Sequence, residues 1–427
     1  MKIKSFIKKL TPDFLLDFYY WLWALAGAIA FGFPSRKLIV IGVTGTSGKS
    51  TTIDFITRIL EEAGNHVASA SSIRFKIKNK EWQNTLKMTM PGRFVIQKFL
   101  RQAVQSKCNY AVLEVTSEGI KQYRHKFITF DTAVFLNITP EHIDSHGGFE
   151  NYRSAKLELF KAAKNLHVIN ADDENTTYFL EIPAKKKYLF GIKNSNVDLC
   201  AEKIRFENGK ITFWVSGTEF HLGLLGEFNV LNAMAAISLG MAKGISLDIC
   251  KKALGKVTGM PGRLEVVAEN PFLVVVDYAF TPEQLDASYK SVKQFSGGKP
   301  LVCVLGACGG GRDKWKRPVL GKIAQQHCKE IIITNEDPYD EDPLGIMEQV
   351  ADGIDNQVKP YHIILDRKEA IKRALALAGQ TDAVVITGKG AEPLMCLANG
   401  KKIPWSDKNI VKEELDHIDS SLPKNYN

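Results

Sequence analysis

Residues Lys37 to Asp54 read KLIVIGVTGTSGKSTTID, and this stretch decides the fold. Leu38 to Ile41 is short, apolar and β-branched, the pattern of a strand buried on both faces of a parallel sheet. The run stops at Gly42, and from Lys49 onward Ile53, Ile56, Ile59 and Leu60 fall at helical spacing. Between strand and helix lie Gly42, Gly45 and Gly48, then Lys49, Ser50, Thr51 and Thr52. Glycines let backbone N–H groups close around oxyanions, a helix N-terminus adds its positive dipole end, and Lys49 adds a charge. Gly45, Thr46, Ser47, Gly48, Lys49, Ser50 and Thr51 therefore form a candidate phosphate cradle, with Ser50 or Thr51 offering a hydroxyl to Mg²⁺. The spacing is G-x-x-G-x-x-G-K-S-T, a variant loop in which Val43 stands five positions before Gly48, where the common pattern has glycine.

At 427 residues the chain has room for two or three domains with ample cores. Its 45% apolar and 24% charged residues are those of an ordinary globular protein. A net charge of +9 suits an anionic, phosphate-bearing substrate, but the charge is spread too evenly to argue for nucleic acid. Seven cysteines without a C-x-x-C pair are expected to be reduced thiols of a cytoplasmic protein.

Phe14 to Phe33, FLLDFYYWLWALAGAIAFGF, carries one charge, Asp17, and follows Lys2, Lys4, Lys8 and Lys9. Three readings of it stand: a greasy helix packed on the neighbouring domain, a helix lying at the inner face of a membrane, or a full span.

Beyond the loop helix, Gly64 is placed to cap it, and His66-Val67-Ala68 starts a strand. A helix should run from Thr89-Met90-Pro91-Gly92 to about Gln105. Tyr110 to Val115 is a buried strand carrying Glu114 at its end, where ligands of α/β sheets gather. Thr132 to Asn137 is the next strand; His142, Asp144 and His146 cluster after it, with Lys156 on the following helix. Asn208-Gly209 within IRFENGKITFWV signals a type I′ hairpin, Ala233 to Met241 a core helix, and GMPGR at Gly259 a hinge. Strands at Phe272–Asp277, Leu301–Leu305, Glu330–Thr334, His362–Leu365 and Ala383–Thr387 then alternate with helices. The domains expected are 1–37, a hydrophobic helical segment; 38–261, a central parallel-sheet nucleotide domain; and 262–427, a smaller Rossmann-like α/β domain.

These motifs together resemble the Mur ligase family, most closely its MurE type, which adds the third amino acid to a peptidoglycan precursor. The matching pieces run in family order: GVTGTSGKSTT, TMP at Thr89, LEVTSEG at Leu113, NITPEHIDSHG at Asn137 and SAKLELF at Ser154. They continue with GEFNVLNAMAA at Gly226, MPGRLE at Met260, VVDYAFTPEQL at Val275, GACGGGRDKWKRP at Gly306, TNEDPYDEDP at Thr334 and TGKGAEP at Thr387. The resemblance implies an ATP-dependent amide ligase in which a substrate carboxylate becomes an acyl phosphate and an amine then displaces phosphate. It implies two Mg²⁺ sites. Lys49 would bind the β/γ-phosphates, Ser50 and Glu114 one Mg²⁺, and His142 the second, with Lys156 carbamylated by CO₂ beside the metals. Asn229 and Asn232 would lie on the adenine side, and Arg263 and Asp277 would reach ATP from the last domain. Thr89, Arg312, Asp337, Tyr339, Gly388 and Glu392 would meet the peptidoglycan-precursor and amino-acid substrates.

Four departures stand beside the likeness. Members of the family commonly carry a UDP-binding domain ahead of the loop, whereas here only the greasy segment precedes it, which suits a lipid-linked or membrane-proximal acceptor. The family's Asp-Asn-Pro-Arg, which reads diaminopimelate, is Glu336-Asp337-Pro338-Tyr339, so a carboxylate-forking Arg is replaced by Tyr. Phe280 and Ala391 each replace a family histidine. A folylpolyglutamate-synthase-like or cyanophycin-type ligase, and a non-catalytic ATP-binding scaffold, are the competing expectations.

Overall fold

The structure, a computed structural model, describes residues 12–207 and 209–421. Lys2, Lys4, Lys8, Lys9 and Asn208 of the sequence reading lie outside those residues. The chain divides into two compact units, Met1–Gly223 with Glu227–Thr258, and Leu224–Gly226 with Gly259–Asn427.

The first unit is built on an eleven-stranded sheet. In chain order its strands are β1 (Ile39–Thr44), β2 (Val67–Ala70), β3 (Arg74–Ile77), β4 (Lys80–Gln83), β5 (Tyr110–Glu114) and β6 (Phe130–Phe135). They continue with β7 (Leu166–Asn170), β8 (Lys186–Gly191), β9 (Leu199–Glu207), β10 (Lys210–Val215) and β11 (Thr218–Leu222). The spatial order is β11-β10-β9-β8-β7-β6-β1-β5-β2-β3-β4. From β2 to β9 every neighbouring pair is parallel; β3 and β4 at one edge and β10 and β11 at the other are antiparallel. The strands β2 to β5 all lie on one side of β1, with β5 next to it, and β6 to β11 run outward on the other, so the C-terminal end of β1 is a topological switch point, where open α/β sheets open a crevice.

The first strand does not stop at Gly42. It runs to Thr44, pairing Gly42 with Leu113 on one side and Ala133 on the other. Glycine is needed there for packing, since a Cβ would lie 2.6 Å from Leu159 Cδ1. Two helices flank this strand's chemistry, α2 (Lys49–Glu62) directly after the loop and α4 (Phe149–Ala162) after β6. Between them in sequence α3 (Arg93–Gln105) packs Ile96, Phe99, Leu100 and Ala103 into the core. The helix α5 (Phe228–Ala242) is apolar on nearly every side, as expected of a core element.

The N-terminal stretch forms α1 (Asp13–Ala30), which contacts α3. Ala24 and Ala28 are buried against the unit, and a Cβ on Gly27 would lie 3.4 Å from the Arg93 carbonyl oxygen, so small residues allow close approach. No helix among the described residues is long and apolar enough to cross a membrane, which leaves the packed and the surface-lying readings.

The second unit holds a six-stranded sheet of order β12-β13-β17-β14-β15-β16. Its strands are β12 (Glu265–Ala268), β13 (Leu273–Val276), β14 (Leu301–Leu305), β15 (Cys328–Thr334), β16 (Tyr361–Ile364) and β17 (Ala383–Ile386). All neighbours are parallel except β12 with β13. Val275, Cys303, Ile331 and Val385 face one core, while Val274, Val302, Ile332 and Val384 face the other. Period-two alternation with both faces covered is the signature of a doubly wound layer.

The expectation of seven reduced thiols is corrected here. Cys303 and Cys328 form a disulfide between β14 and β15, and the other five cysteines are free. The reason is register: parallel pairing sets Leu301 opposite Cys328 and brings the two Cα atoms to 6.0 Å.

Candidate active site

The loop between β1 and α2 is held open from below by one side chain. Asn137, just past β6, accepts at Oδ1 from the backbone N–H groups of Thr46 (3.0 Å) and Ser47 (2.9 Å). Gly48 has φ +80, and a Cβ there would lie 2.2 Å from Asn232 Oδ1, so the loop both needs and conceals its glycine. Thr46 Oγ1 meets the Tyr152 hydroxyl at 2.9 Å.

Lys49 opens α2 and donates to the carbonyls of Gly45 and Thr46, both at 3.0 Å. Its Nζ lies 3.9 Å from Glu114 Oε1. Glu114 is buried at the end of β5, and its Oε2 accepts from Ser50 Oγ (2.8 Å) and from the Ser72 N–H (2.8 Å). A hard hydroxyl and a carboxylate side by side are the donor types Mg²⁺ takes from protein, with phosphate and water completing its shell. Among the described residues no group of three or more His, Cys, Asp or Glu side chains is placed to hold a metal. An Mg²⁺ at Ser50 and Glu114 requires no such group.

Lys156, on α4, is 2% exposed and donates to the Gly45 carbonyl at 2.9 Å, with the Tyr152 ring 4.5 Å away. Burial, and then repulsion from Lys49, push its pKa well below the usual lysine range. His142 sits in the left-handed region (φ 58) ahead of the short helix Ile143–His146, half-buried, its Nδ1 4.0 Å from Glu141 Oε1. Asp144 is exposed, and His146 turns away to Ser117 Oγ at 3.1 Å. Asn229 and Asn232 are buried on α5, joined by a 2.9 Å hydrogen bond. Thr51 is buried in the first turn of α2.

Thr89 lies on the loop leading into α3, near two guanidinium groups that the sequence reading passed over. Arg124 donates to the Met90 carbonyl and to Gln122 Oε1, yet its Nε, and Nε and Nη2 of Arg93, are buried without a hydrogen-bond partner. Arg93 lies over the Tyr20 ring at 4.1 Å, and burial together with the charge of Arg124 lowers its pKa. Buried guanidinium nitrogens left without a partner are places where an anion is favoured. Their signal in the sequence is weak, because Arg124 lies outside every recognisable motif and Arg93 reads as an ordinary helix residue.

The second unit assembles its own cluster from separate loops. Asp337 accepts from Lys389 Nζ at both oxygens (2.9 Å each) and from the Cys396 N–H (2.7 Å). Lys389 also reaches Glu392 Oε2 (2.7 Å), and Glu392 Oε1 accepts from the Tyr278 hydroxyl (3.3 Å). Tyr339 has φ 53 and lies against Gly310, where a Cβ would sit 2.6 Å from its ring. Gly388 has φ +104, and a Cβ there would lie 2.3 Å from Glu336 Oε2. Arg263 stacks over Tyr278 at 4.1 Å, while Asp277 accepts from the N–H groups of Leu264 and Tyr278. Burial raises the Asp277 pKa, with Arg263 opposing the shift. Arg312 is on an exposed turn whose charge is felt at Tyr278 and Cys308. Asp337, Tyr339, Gly388 and Glu392 are thus brought together, with Lys389, Glu336 and Cys308 as neighbours to which no role was given.

Two family models match the chain, the Mur ligase middle domain over residues 43–240 and the Mur ligase glutamate ligase domain over residues 262–390. Among similar proteins is the UDP-N-acetylmuramoyl-L-alanyl-D-glutamate–2,6-diaminopimelate ligase of Syntrophomonas wolfei, 36% identical over 409 residues, covering 92% of this chain and 81% of that one. A UDP-N-acetylmuramyl-tripeptide synthetase of Roseiflexus is 34% identical, with 92% and 81% covered. A solved diaminopimelate ligase of the same description matches with TM-score 0.61 at 30% identity, over 90% of this chain and 79% of that one. The folylpolyglutamate synthase of Mycobacterium tuberculosis matches with TM-score 0.71 at 17% identity, over 86% and 92%, a likeness of fold alone. The chain belongs to the Mur ligase family and is an ATP-dependent, ADP-forming ligase carrying that family's middle and C-terminal domains.

Proposed function

We propose that the chain joins an amino acid to a UDP-N-acetylmuramoyl peptide or a related peptidoglycan precursor, through an acyl phosphate formed on the precursor's terminal carboxylate. Lys49 and the backbone N–H groups from Gly45 to Thr51 hold the triphosphate, and Asn229 and Asn232 line the adenine side. Ser50 and Glu114 hold one Mg²⁺, His142 and the modified Lys156 a second. Bound there, the metal ions offset the repulsion between phosphate and the incoming carboxylate. Arg263 and Asp277 serve the nucleotide from the second unit. Thr89, Arg93 and Arg124 meet the anionic acceptor, while Arg312, Asp337, Tyr339, Gly388 and Glu392 receive the amino acid. Tyr339 offers no guanidinium to a distal carboxylate, so diaminopimelate is not the favoured amine.

The observation that carries this reading is Lys156, a buried amine with no carboxylate in salt-bridge reach among the described residues. Burial disfavours its ammonium form, and the neutral amine carries the lone pair that reacts. That nitrogen bonds the carbon of CO₂ and sheds one proton, giving a carbamate anion where an ammonium would repel Lys49 and metal ions alike. We also infer that residues 14–33 bring the ligase to the inner surface of a membrane.

The test supplies ATP, Mg²⁺, a UDP-muramoyl dipeptide and each amino acid in turn, diaminopimelate included, and weighs the products. One amino acid should be incorporated with matching phosphate release. Lys156→Ala should lower that release by on the order of 10²-fold or more while nucleotide binding persists. Phosphate release independent of any acceptor or amino acid would overturn the reading.

A further inference from the structure

The outer side of α1 is where the molecule departs most from an ordinary soluble surface. Phe14 is 70% exposed, Phe18 60%, Ile29 61% and Tyr19 51%, and Leu15 and Leu22 are exposed beside them. At helical spacing these six share one side of the helix, opposite the Ala24 and Ala28 side that packs on the unit. Trp21 and Trp23 stand at the two flanks, touching Phe127 and Phe94 at 5.5 Å each. The apolar surface continues onto α3 through exposed Phe94 and Val95, next to exposed Lys98. Monomeric proteins rarely leave such a contiguous patch uncovered.

Resting on the reading of residues 14–33 as membrane-contacting, we propose that α1 and the start of α3 form one monotopic docking surface for an anionic lipid bilayer, with α1 lying parallel to the membrane plane. Three observations select this occupant. The C-terminal half of α1 is packed on the unit through Ala24, Gly27 and Ala28, so the helix cannot leave it to span a bilayer without exposing them. Phe, Leu and Ile on the outer side with Trp and Tyr at the flanks are the side chains that settle at the boundary of headgroups and acyl chains. Exposed Arg36 and Lys37 follow α1 and exposed Lys98 lies on α3, while in the sequence Lys2, Lys4, Lys8 and Lys9 precede the helix. A second copy docking through the same face would bring these like charges together, whereas anionic headgroups neutralise them.

The full chain is floated with vesicles of phosphatidylcholine alone and of an equal mixture with phosphatidylglycerol. Binding to the mixed vesicles should be at least about tenfold tighter and should weaken as salt is added. The double variant Phe18→Glu, Leu22→Glu should lose at least about tenfold of that binding. Its phosphate release without vesicles should equal that of the unaltered chain, so failure of docking and failure of the ligase reading are read separately. Equal binding by the variant, or no preference for anionic lipid, would overturn the proposal. A dimer that the variant splits, with no vesicle binding, would give the face to a second copy and overturn it too.

Discussion

Each unit buries one lysine at its site, and the two are held in opposite ways. Lys389, fully buried, is surrounded by acceptors: both oxygens of Asp337, Glu392 and the Leu394 carbonyl. Lys156 is almost as buried and has a carbonyl and an aromatic ring. The first arrangement keeps an ammonium charged and makes it a fixed strut between loops. The second disfavours the charge and leaves an amine free to react. Burial alone says nothing about a lysine's role; its acceptors decide it.

The largest effect should come from deleting the two amines in turn. Lys389→Met removes the counter-charge of two carboxylates, one of them 4% exposed, and should cost the second unit about 3–5 kcal/mol. Lys156→Met removes an amine whose charged form the site disfavours and which holds only the Gly45 carbonyl, so the first unit should lose clearly less than the second, by about 1–2 kcal/mol, while ligation falls as for Lys156→Ala. Urea titration of both variants, following each unit's transition, checks this. Equal losses in the two units would break the comparison.

The same contrast separates what the sequence shows from what it hides. The phosphate loop is legible because its glycines, Lys49 and Ser50 are consecutive and its strand and helix carry different periods. Most parallel strands of both units are legible as short apolar runs, with ends misplaced by up to three residues, whereas β7 and β8 are missing from the sequence reading. The supports are not legible. Asn137 and Ser72 reach the loop region across 90 and 42 residues of chain, from Thr46/Ser47 and Glu114 respectively. Lys389 and Asp337 meet across 52 residues, and the Cys303–Cys328 bond depends on strand register. Nothing local in Lys389 distinguishes it from a surface lysine, and the two arginines near Thr89 show their lack of partners only once folded.

A second, smaller effect follows from His125, another titratable group of the first unit buried without compensation. Its Nδ1 has no partner, and burial, aided by Lys126, pushes its pKa down to about 4. The folded value lies below the unfolded one of 6.5, so between these pH values the unfolded chain binds the extra proton. Stability should therefore fall as pH drops from 6.5 towards 4, by about 3 kcal/mol from this residue. His125→Gln should remove that part of the acid sensitivity of the first unit. A variant whose pH profile overlays the unaltered chain would show that His125 does not stay neutral in the fold.

The smallest effect sharpens the comparison from within the second unit, where Glu336 is the exception to its well-compensated neighbours. Oε1 accepts from the Cys308 thiol at 2.8 Å, but Oε2 is buried without a partner. Burial raises the Glu336 pKa above its usual 4.5, with Cys308 and Arg367 opposing. The sign is opposite to that of His125: the folded chain holds the proton longer, so the contribution is complete below 4.5 and is lost as pH rises through the folded value. Glu336→Gln keeps the shape and the neutral charge, and at pH 4, below the unfolded value, should change stability by less than about 1 kcal/mol. Above that window the variant should be the more stable of the two, because it has no proton to lose. Denaturant midpoints at pH 4 and pH 8 decide it: a variant weaker at both would mean that Glu336 is ionised in the fold and compensated by Lys389 and Arg367, as Asp337 is by Lys389 and as buried Asp407 is by Arg367 at 2.8 Å.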